Sequence, residues 1–261
     1  MSGFLSRVVA AKREEIAQLA PAIDPGQLDD LAATRPVRDF AAALRAAPAA
    51  GGIIAEFKRR SPSVDAFPRG VDPAATARVY AANGAVALSV VTDEIHFGTS
   101  LVDATTARSA CGLPLLVKDF VIDPLQVSLA RAAGADALLL IARSLSPGEL
   151  SGLLARIGET GMVALVECHD EADVQKALTA GAPVIGVNSR DLETLAVDLD
   201  APRRLLPLLH PRALAVAESG IRTRADVETL SGCGADACLI GGVLLESDDP
   251  GAKLRELGGR P

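Results

Sequence analysis

Short apolar runs alternate with amphipathic helical segments along the chain, and this alternation constrains the fold more than any other feature. Such a pattern signals a parallel sheet whose strands are joined by crossover helices. Eight strands are read at about Gly52–Lys58, Ala85–Thr92, Pro114–Asp119, Ala137–Ile141, Met162–Cys168, Val184–Asn188, Ala213–Ser219 and Ala237–Gly241. Helices are read near Pro73–Ala82, Leu101–Ala110, Pro124–Ala133, Pro147–Glu159, Glu171–Ala180, Ala201–Leu209, Arg224–Ser231 and Pro250–Leu257. Asp72, Asp123 and Ser146 each precede a proline. That is the pairing of an N-cap with proline at the first helical position.

A weak repeat supports the same units. Gly84-Ala85, Gly134-Ala135-Asp136-Ala137, Gly181-Ala182 and Gly234-Ala235-Asp236-Ala237 each end a helix and open a strand. Glycine fits the left-handed position after a helix, and small residues let strand and helix approach. Eight units fit a (β/α)8 TIM barrel better than a doubly wound sheet, and 261 residues match the roughly 250 of such a barrel. The reading is one domain, with residues 1–48 as an N-terminal helical extension and 49–261 as the barrel. The extension holds helices near Phe4–Ala20 and Val37–Ala46, which either cap the barrel floor or lie against its active face.

The chain is 49% hydrophobic but only 3% aromatic, without tryptophan, so its core is Ala, Val, Leu and Ile packed closely. A net charge of −7 argues against nucleic-acid or anionic-membrane partners, and an anionic substrate would need a local group of cations. Cys111, Cys168, Cys233 and Cys238 lack CxxC spacing, and His96, His169 and His210 form no metal-ligand pattern. Charged residues interrupt Met1 to Ala20, unlike a signal peptide, and no apolar run approaches the roughly 20 residues of a membrane span. These features describe a soluble, cytoplasmic chain with reduced thiols and no metal.

In a parallel barrel the site lies at the C-terminal ends of the strands. Those ends carry Glu56 and Lys58, Ser89 and Thr92, Lys118, Glu167, Asn188 with Arg190, and Glu218 with Ser219. Alternate strand residues share a face, so Ile54-Glu56-Lys58, Leu116-Lys118, Leu165-Glu167 and Val216-Glu218 each run from core to rim. One charge buried alone would cost several kcal/mol, whereas opposite charges from separate strands neutralise one another around a cavity. A structural ion-pair network is the plainer alternative. Beyond the last two strands, Glu218-Ser219-Gly220-Ile221 and Leu239-Ile240-Gly241-Gly242-Val243 offer small residues and free backbone N–H groups. Phosphate sits there in many barrels of this type.

The chain resembles the indole-3-glycerol phosphate synthase family of tryptophan biosynthesis from about Phe4 to the C-terminus. The resemblance rests on Ile54-Ala55-Glu56-Phe57-Lys58-Arg59-Arg60-Ser61-Pro62-Ser63, Leu88-Ser89-Val90-Val91-Thr92-Asp93, Lys118-Asp119-Phe120, Leu165-Val166-Glu167, Gly186-Val187-Asn188-Ser189-Arg190-Asp191-Leu192 and Ala217-Glu218-Ser219-Gly220-Ile221. It implies decarboxylating, dehydrating ring closure of a carboxyphenylamino-deoxyribulose phosphate. By resemblance Lys118 is the acid at the sugar ketone, and Lys58, Glu56 and Glu167 divide the remaining proton transfers, with the division left open. Asn188, Arg190, Glu218 and Ser89 are implied in substrate binding, with Phe97, Phe120, Leu139 and Leu192 as apolar walls for the aryl ring. Ser61, Ser219, Gly220, Gly241 and Gly242 match phosphate positions. No cofactor is implied, and the expected state is a monomer, at most weakly associated with other enzymes of the pathway.

The chain departs from the family pattern in several places. Val64-Asp65 stands where Lys-Gly is usual, Val117 where Arg is common, Leu125 where Tyr is usual, Thr99 where a small residue is frequent, and Gly242 where Ser or Glu is frequent. None is in the acid–base set. The competing readings are a phosphoribosylanthranilate isomerase-like barrel, which would need a cysteine on the first strand, a paralogue of a secondary pathway, and a silent phosphosugar-binding barrel.

Overall fold

The computed structural model describes residues 3–48, 51–61, 67 and 72–259. Pro62, Ser63 and the Val64-Asp65 departure fall outside the described residues. Three helices precede the sheet: α1 (Phe4–Leu19), α2 (Pro25–Ala33) and α3 (Phe40–Arg45). Eight strands follow: β1 (Gly52–Phe57), β2 (Ala87–Val91), β3 (Leu115–Lys118), β4 (Ala137–Ile141), β5 (Val163–Cys168), β6 (Val184–Asn188), β7 (Leu214–Glu218) and β8 (Ala237–Ile240). They pair in parallel in sequence order, and β8 returns to β1 with Ile54 opposite Leu239, closing the barrel.

The helices of the barrel are α4 (Pro73–Ala82), α5 (Glu94–Phe97), α6 (Leu101–Ala110), α7 (Pro124–Ala133), α8 (Pro147–Glu159), α9 (Glu171–Thr179), α10 (Ala201–Leu205), α11 (Arg224–Gly232), α12 (Gly242–Glu246) and α13 (Pro250–Leu257). The expected caps form. Asp72, Asp123 and Ser146 accept backbone N–H groups at the starts of α4, α7 and α8. Asp170, Thr223 and Asp249 do the same for α9, α11 and α13. The helix expected over 201–209 ends earlier: α10 stops at Leu205 and a 3₁₀ turn covers Leu206–Leu208. Pro207 has no N–H to donate to the preceding turn, which is enough to end an α-helix.

Alternation sorts the strand residues onto two faces. Ile53, Ala55, Leu115, Val117, Leu138 and Val166 pack in the layer between sheet and helices. Ile54, Ala87, Leu116, Leu139, Leu165, Val216 and Leu239 fill the barrel interior. Both alternatives for the extension are realised by different helices. In α3, Phe40 and Leu44 are each 1% exposed, and the helix meets β2 and β7. It enters beside Asp136, just before β4, whose carboxylate accepts the Arg38 N–H at 2.7 Å, so α3 closes the floor. In α1, Lys12 reaches Asp93 and Asp119, just beyond β2 and β3, so that helix lies on the opposite rim, at the C-terminal ends of the strands. Between them α2 packs on α7.

Candidate active site

Three strands bring one ammonium and two carboxylates together on the barrel axis. Lys118, the last residue of β3, donates to Glu167 Oε2 of β5 at 2.5 Å and to Glu218 Oε2 of β7 at 3.0 Å. Both glutamates are 1% exposed. Glu56 on β1 forms a second pair with Lys58, which stands just past the strand end. Two glycines make room for these side chains. A Cβ on Gly186 would lie 2.0 Å from Glu218 Oε1, and one on Gly241 would lie 2.6 Å from Glu56 Oε1.

Charge state follows from this crowding. Burial would strip Lys118 of its proton, but Glu167, Glu218 and Glu56 overturn that and hold it as ammonium, with its pKa raised. Burial pushes Glu218 up to about 7; Lys118 opposes the rise and Glu167 adds to it. Burial also favours the neutral form of Glu167, yet Lys118 and His169 hold its carboxyl well below the usual range. The two carboxylates on one lysine are therefore unequal.

A cavity of about 250 Å³ opens above this cluster. Every residue that the resemblance assigns to the site lines it except Ser89: Glu56, Lys58, Lys118 and Glu167; Asn188, Arg190 and Glu218; Phe97, Phe120, Leu139 and Leu192; and Ser61, Ser219, Gly220, Gly241 and Gly242. The strand-end Thr92 lies outside it, lining a separate cleft beneath α1. Ser89 pairs with Glu56 across β1 and β2, is fully buried, and its hydroxyl has no hydrogen-bond partner among the described residues. It belongs to the layer beneath the cavity. Arg190 is held by its own loop, donating to the Leu195 carbonyl at 3.0 Å, while Asn188 Oδ1 accepts the Arg190 N–H at 2.9 Å.

The cavity divides into an apolar and a polar end. Phe97 and Phe120 lie 6.5 Å apart, and Phe4 from α1 stands edge-on to Phe120 at 6.4 Å. At the other end Ser219 (φ +66°) and Gly220 (φ +75°) both adopt the left-handed conformation directly after β7. A non-glycine residue there costs about 1–3 kcal/mol, which places the strain at the site. Gly242 and Val243 open α12 across from them, and the first N–H groups of a helix have no carbonyl in the preceding turn.

Several lining residues were not singled out from sequence. Phe4 comes from a helix whose position the sequence left open. Ile141 and Leu239 share the inward parity of Leu139 and Glu218, a signal that alternation alone carries. Of the departures, Gly242 lines the cavity, whereas Val117 and Leu125 line a separate cleft beneath α1. Thr99 is fully buried and donates to the Val91 carbonyl at the end of β2. All four cysteines are free, and among the described residues no three His, Cys, Asp or Glu side chains are arranged to hold a metal ion.

The class defined by this fold and pocket is a (β/α)8 barrel with paired lysines and glutamates in a cavity at its C-terminal rim. The indole-3-glycerol phosphate synthase family matches residues 5–257. An indole-3-glycerol phosphate synthase from Roseiflexus sp. is 47% identical, with 99% of each chain covered. Indole-3-glycerol phosphate synthase 2 of Streptomyces coelicolor is 45% identical over 99% of this chain and all of its own length. Among solved structures, a mandelate oxidase mutant aligns with TM-score 0.62 at 17% identity, covering 80% of this chain and 72% of its own, a likeness of fold alone. The chain belongs to the indole-3-glycerol phosphate synthase family.

Proposed function

We propose that this chain converts 1-(2-carboxyphenylamino)-1-deoxyribulose 5-phosphate to indole-3-glycerol phosphate, CO2 and water. The observation that carries the reading is Lys118, held as ammonium between two buried carboxylates at the floor of a pocket with aromatic walls. In the first step the ring carbon bearing the carboxylate attacks the sugar ketone. A C–C bond forms, and the carbonyl π electrons move to oxygen, which takes a proton from Lys118. CO2 then leaves, and the electrons of its bond to the ring restore aromaticity. In the last step the hydroxyl departs as water with a proton from an acid, Lys58 in this reading, and the adjacent C–H gives its proton to a carboxylate. Glu167, held ionised, suits that base, and Glu56 keeps Lys58 at the rim.

The remaining groups bind. Phe97, Phe120, Leu139 and Leu192 enclose the aryl ring; Asn188, Arg190 and Glu218 hold the sugar; Ser61, Ser219, Gly220, Gly241 and Gly242 receive the phosphate. Holding ring carbon and ketone in contact supplies about 7–11 kcal/mol of barrier lowering. The protein acts as one domain, a cytoplasmic monomer whose contacts with other pathway enzymes are weak, and a single unfolding transition with a one-chain mass by light scattering is expected. Among the described residues no helix is long and apolar enough to cross a membrane.

The test is turnover of that substrate, followed by indole fluorescence and released CO2. Lys118→Met should lower kcat by at least the roughly 10²–10⁴-fold that general acid catalysis supplies, with substrate still bound. A wild-type protein that binds the substrate but releases no CO2 would favour the silent-barrel reading. The isomerase-like reading lacks the first-strand cysteine that its proton shuttling would use, because β1 has no cysteine and ends in Glu56 and Phe57.

A further inference from the structure

Glu167 presents its two oxygens to different partners. Oε2 receives the Lys118 ammonium, while Oε1 faces away from the cavity toward His169 Nε2, 3.3 Å distant. The imidazole is 3% exposed and does not line the cavity, so it does not reach a bound substrate. Its other nitrogen, Nδ1, lies 3.7 Å from Asp173 Oδ2. Asp173 is itself fixed, accepting the His169 backbone N–H at 3.1 Å and Arg143 Nε at 3.2 Å. Arg143 also reaches Asp170 at 3.3 Å and Asp191 at 3.0 Å. Asp191 sits between Arg190 and Leu192, in the loop that lines the cavity.

Both ring nitrogens and Glu167 Oε1 are buried and make no hydrogen bond among the described residues, so what each ring nitrogen faces is the neighbouring carboxylate, at ion-pair distance. An imidazole with a carboxylate on each side satisfies both only when both nitrogens carry protons; a neutral ring would turn one lone pair toward an anion. We infer that His169 is a positioning residue for the reaction: as an imidazolium clamped between Glu167 and Asp173, it keeps Glu167 ionised and aimed at Lys118, and so decides which of the two carboxylates on that lysine is the base. The inference deepens the function proposed above and rests on it.

The asymmetry of the site supports this. Lys118 contacts Glu167 and Glu218 alike, but a buried cation backs only Glu167. Without that cation the two carboxylates would compete for one proton on nearly equal terms. Burial alone would keep the His169 ring neutral, yet Asp173 and Glu167 outweigh it and push the imidazole up to about 9, with Arg143 opposing. The charged groups around the ring come from every neighbouring element. They are Glu167 on β5, Asp170 and Asp173 at the start of α9, Arg143 after β4, Asp191 after β6, and Lys118 and Glu218 across the barrel. Cys168 points to the helix-facing layer.

His169→Gln keeps an amide donor near Glu167 and removes the charge. The expected result is an acid limb of kcat moved up by about one pH unit, near the lower end of what an adjacent charge does to a carboxylate. Below that limb kcat falls about tenfold, and KM stays unchanged because the residue does not touch substrate. Asp173→Asn, which leaves the ring in place, should move the same limb in the same direction by less. Superimposable pH profiles, or a loss confined to KM, overturn the proposal. A second arm needs no substrate: the ¹⁵N shifts of the chain's three histidines are recorded against pH, with His169 assigned by its absence in His169→Gln. His169 should carry both ring protons at pH 7.5, and Glu167→Gln should lower its midpoint by more than one unit. A ring with one bare nitrogen at pH 7.5, or a midpoint that Glu167→Gln leaves in place, overturns the clamp. Absent turnover in the wild type sinks the functional reading alone, because the NMR arm still decides the clamp.

Discussion

Lys12→Met tests how the extension is held on the C-terminal rim of the barrel. The ammonium is buried, 3.2 Å from Asp119 Oδ1 and 3.6 Å from Asp93 Oδ2; its third partner, Glu15 at 3.0 Å, is half-exposed and contributes little. Removing one member of a buried ion pair typically costs about 3–5 kcal/mol. The lower end applies here, because both aspartates keep other donors. Asp93 accepts the His96 N–H at 2.7 Å, and Asp119 accepts Thr92 Oγ1 at 3.0 Å and the Phe120 N–H at 2.7 Å. We therefore expect about 3 kcal/mol near pH 8. Burial already raises Asp119, with Lys12 restraining it, so the variant raises it further. A carboxyl raised on folding contributes stability below its unfolded value, about 3.9, and loses it as pH climbs through the folded one. The deficit of Lys12→Met against wild type must then shrink at pH 5. Urea unfolding at both pH values reads this directly. Phe4, on the same helix, loosens with it, and a lost aromatic contact of about 0.5–1.5 kcal/mol raises KM by roughly 2–12-fold. A deficit under about 0.5 kcal/mol, or one equal at both pH values, would refute the assignment of Lys12 as the anchor.

Two further perturbations address the centre of the barrel. Gly186→Ala puts a Cβ into Glu218 and should cost about 1–3 kcal/mol by overpacking while displacing the carboxylate from Lys118; a chemical-denaturation midpoint matching wild type would show that Glu218 moves freely. Glu218→Gln removes a group pushed up to about 7, so the fall in melting temperature expected of the wild type as pH rises from 4.5 through 7 should flatten; parallel curves for the two proteins would place that titration elsewhere.

Most of the barrel was legible because its signals are local. Asp72-Pro73, Asp123-Pro124 and Ser146-Pro147 mark helix starts through caps that need only neighbouring residues, and Pro250 does the same for α13. Asp24-Pro25 is the same signature and opens α2, but that helix buries none of its residues, so no apolar stripe reinforced the cap. The short α5 and α12 lie in loops after β2 and β8, where four or five residues show no periodicity. At the site, strand alternation was enough to bring Glu56, Lys118, Glu167 and Glu218 to one rim. The same two-residue step places His169 beyond Glu167 as it places Lys58 beyond Glu56, yet a histidine sought only as a metal ligand goes unnoticed. Phe4 and Lys12 depend on contacts with segments about a hundred residues away, which no local pattern encodes.

The closure of β1 onto β8 has a consequence for synthesis. The first strand to leave the ribosome acquires one neighbour early, at Ala87, and its other only when Leu239 emerges near the end of translation. Until then its open edge carries unpaired amide and carbonyl groups, the kind that attract foreign strands. The preceding helices are only half seated at that stage: Lys12 can meet Asp93 early but must wait for Asp119, and the floor helix can meet β2 early but must wait for β7. Nascent chains stalled before residue 237 should therefore be the ones that chaperones retain.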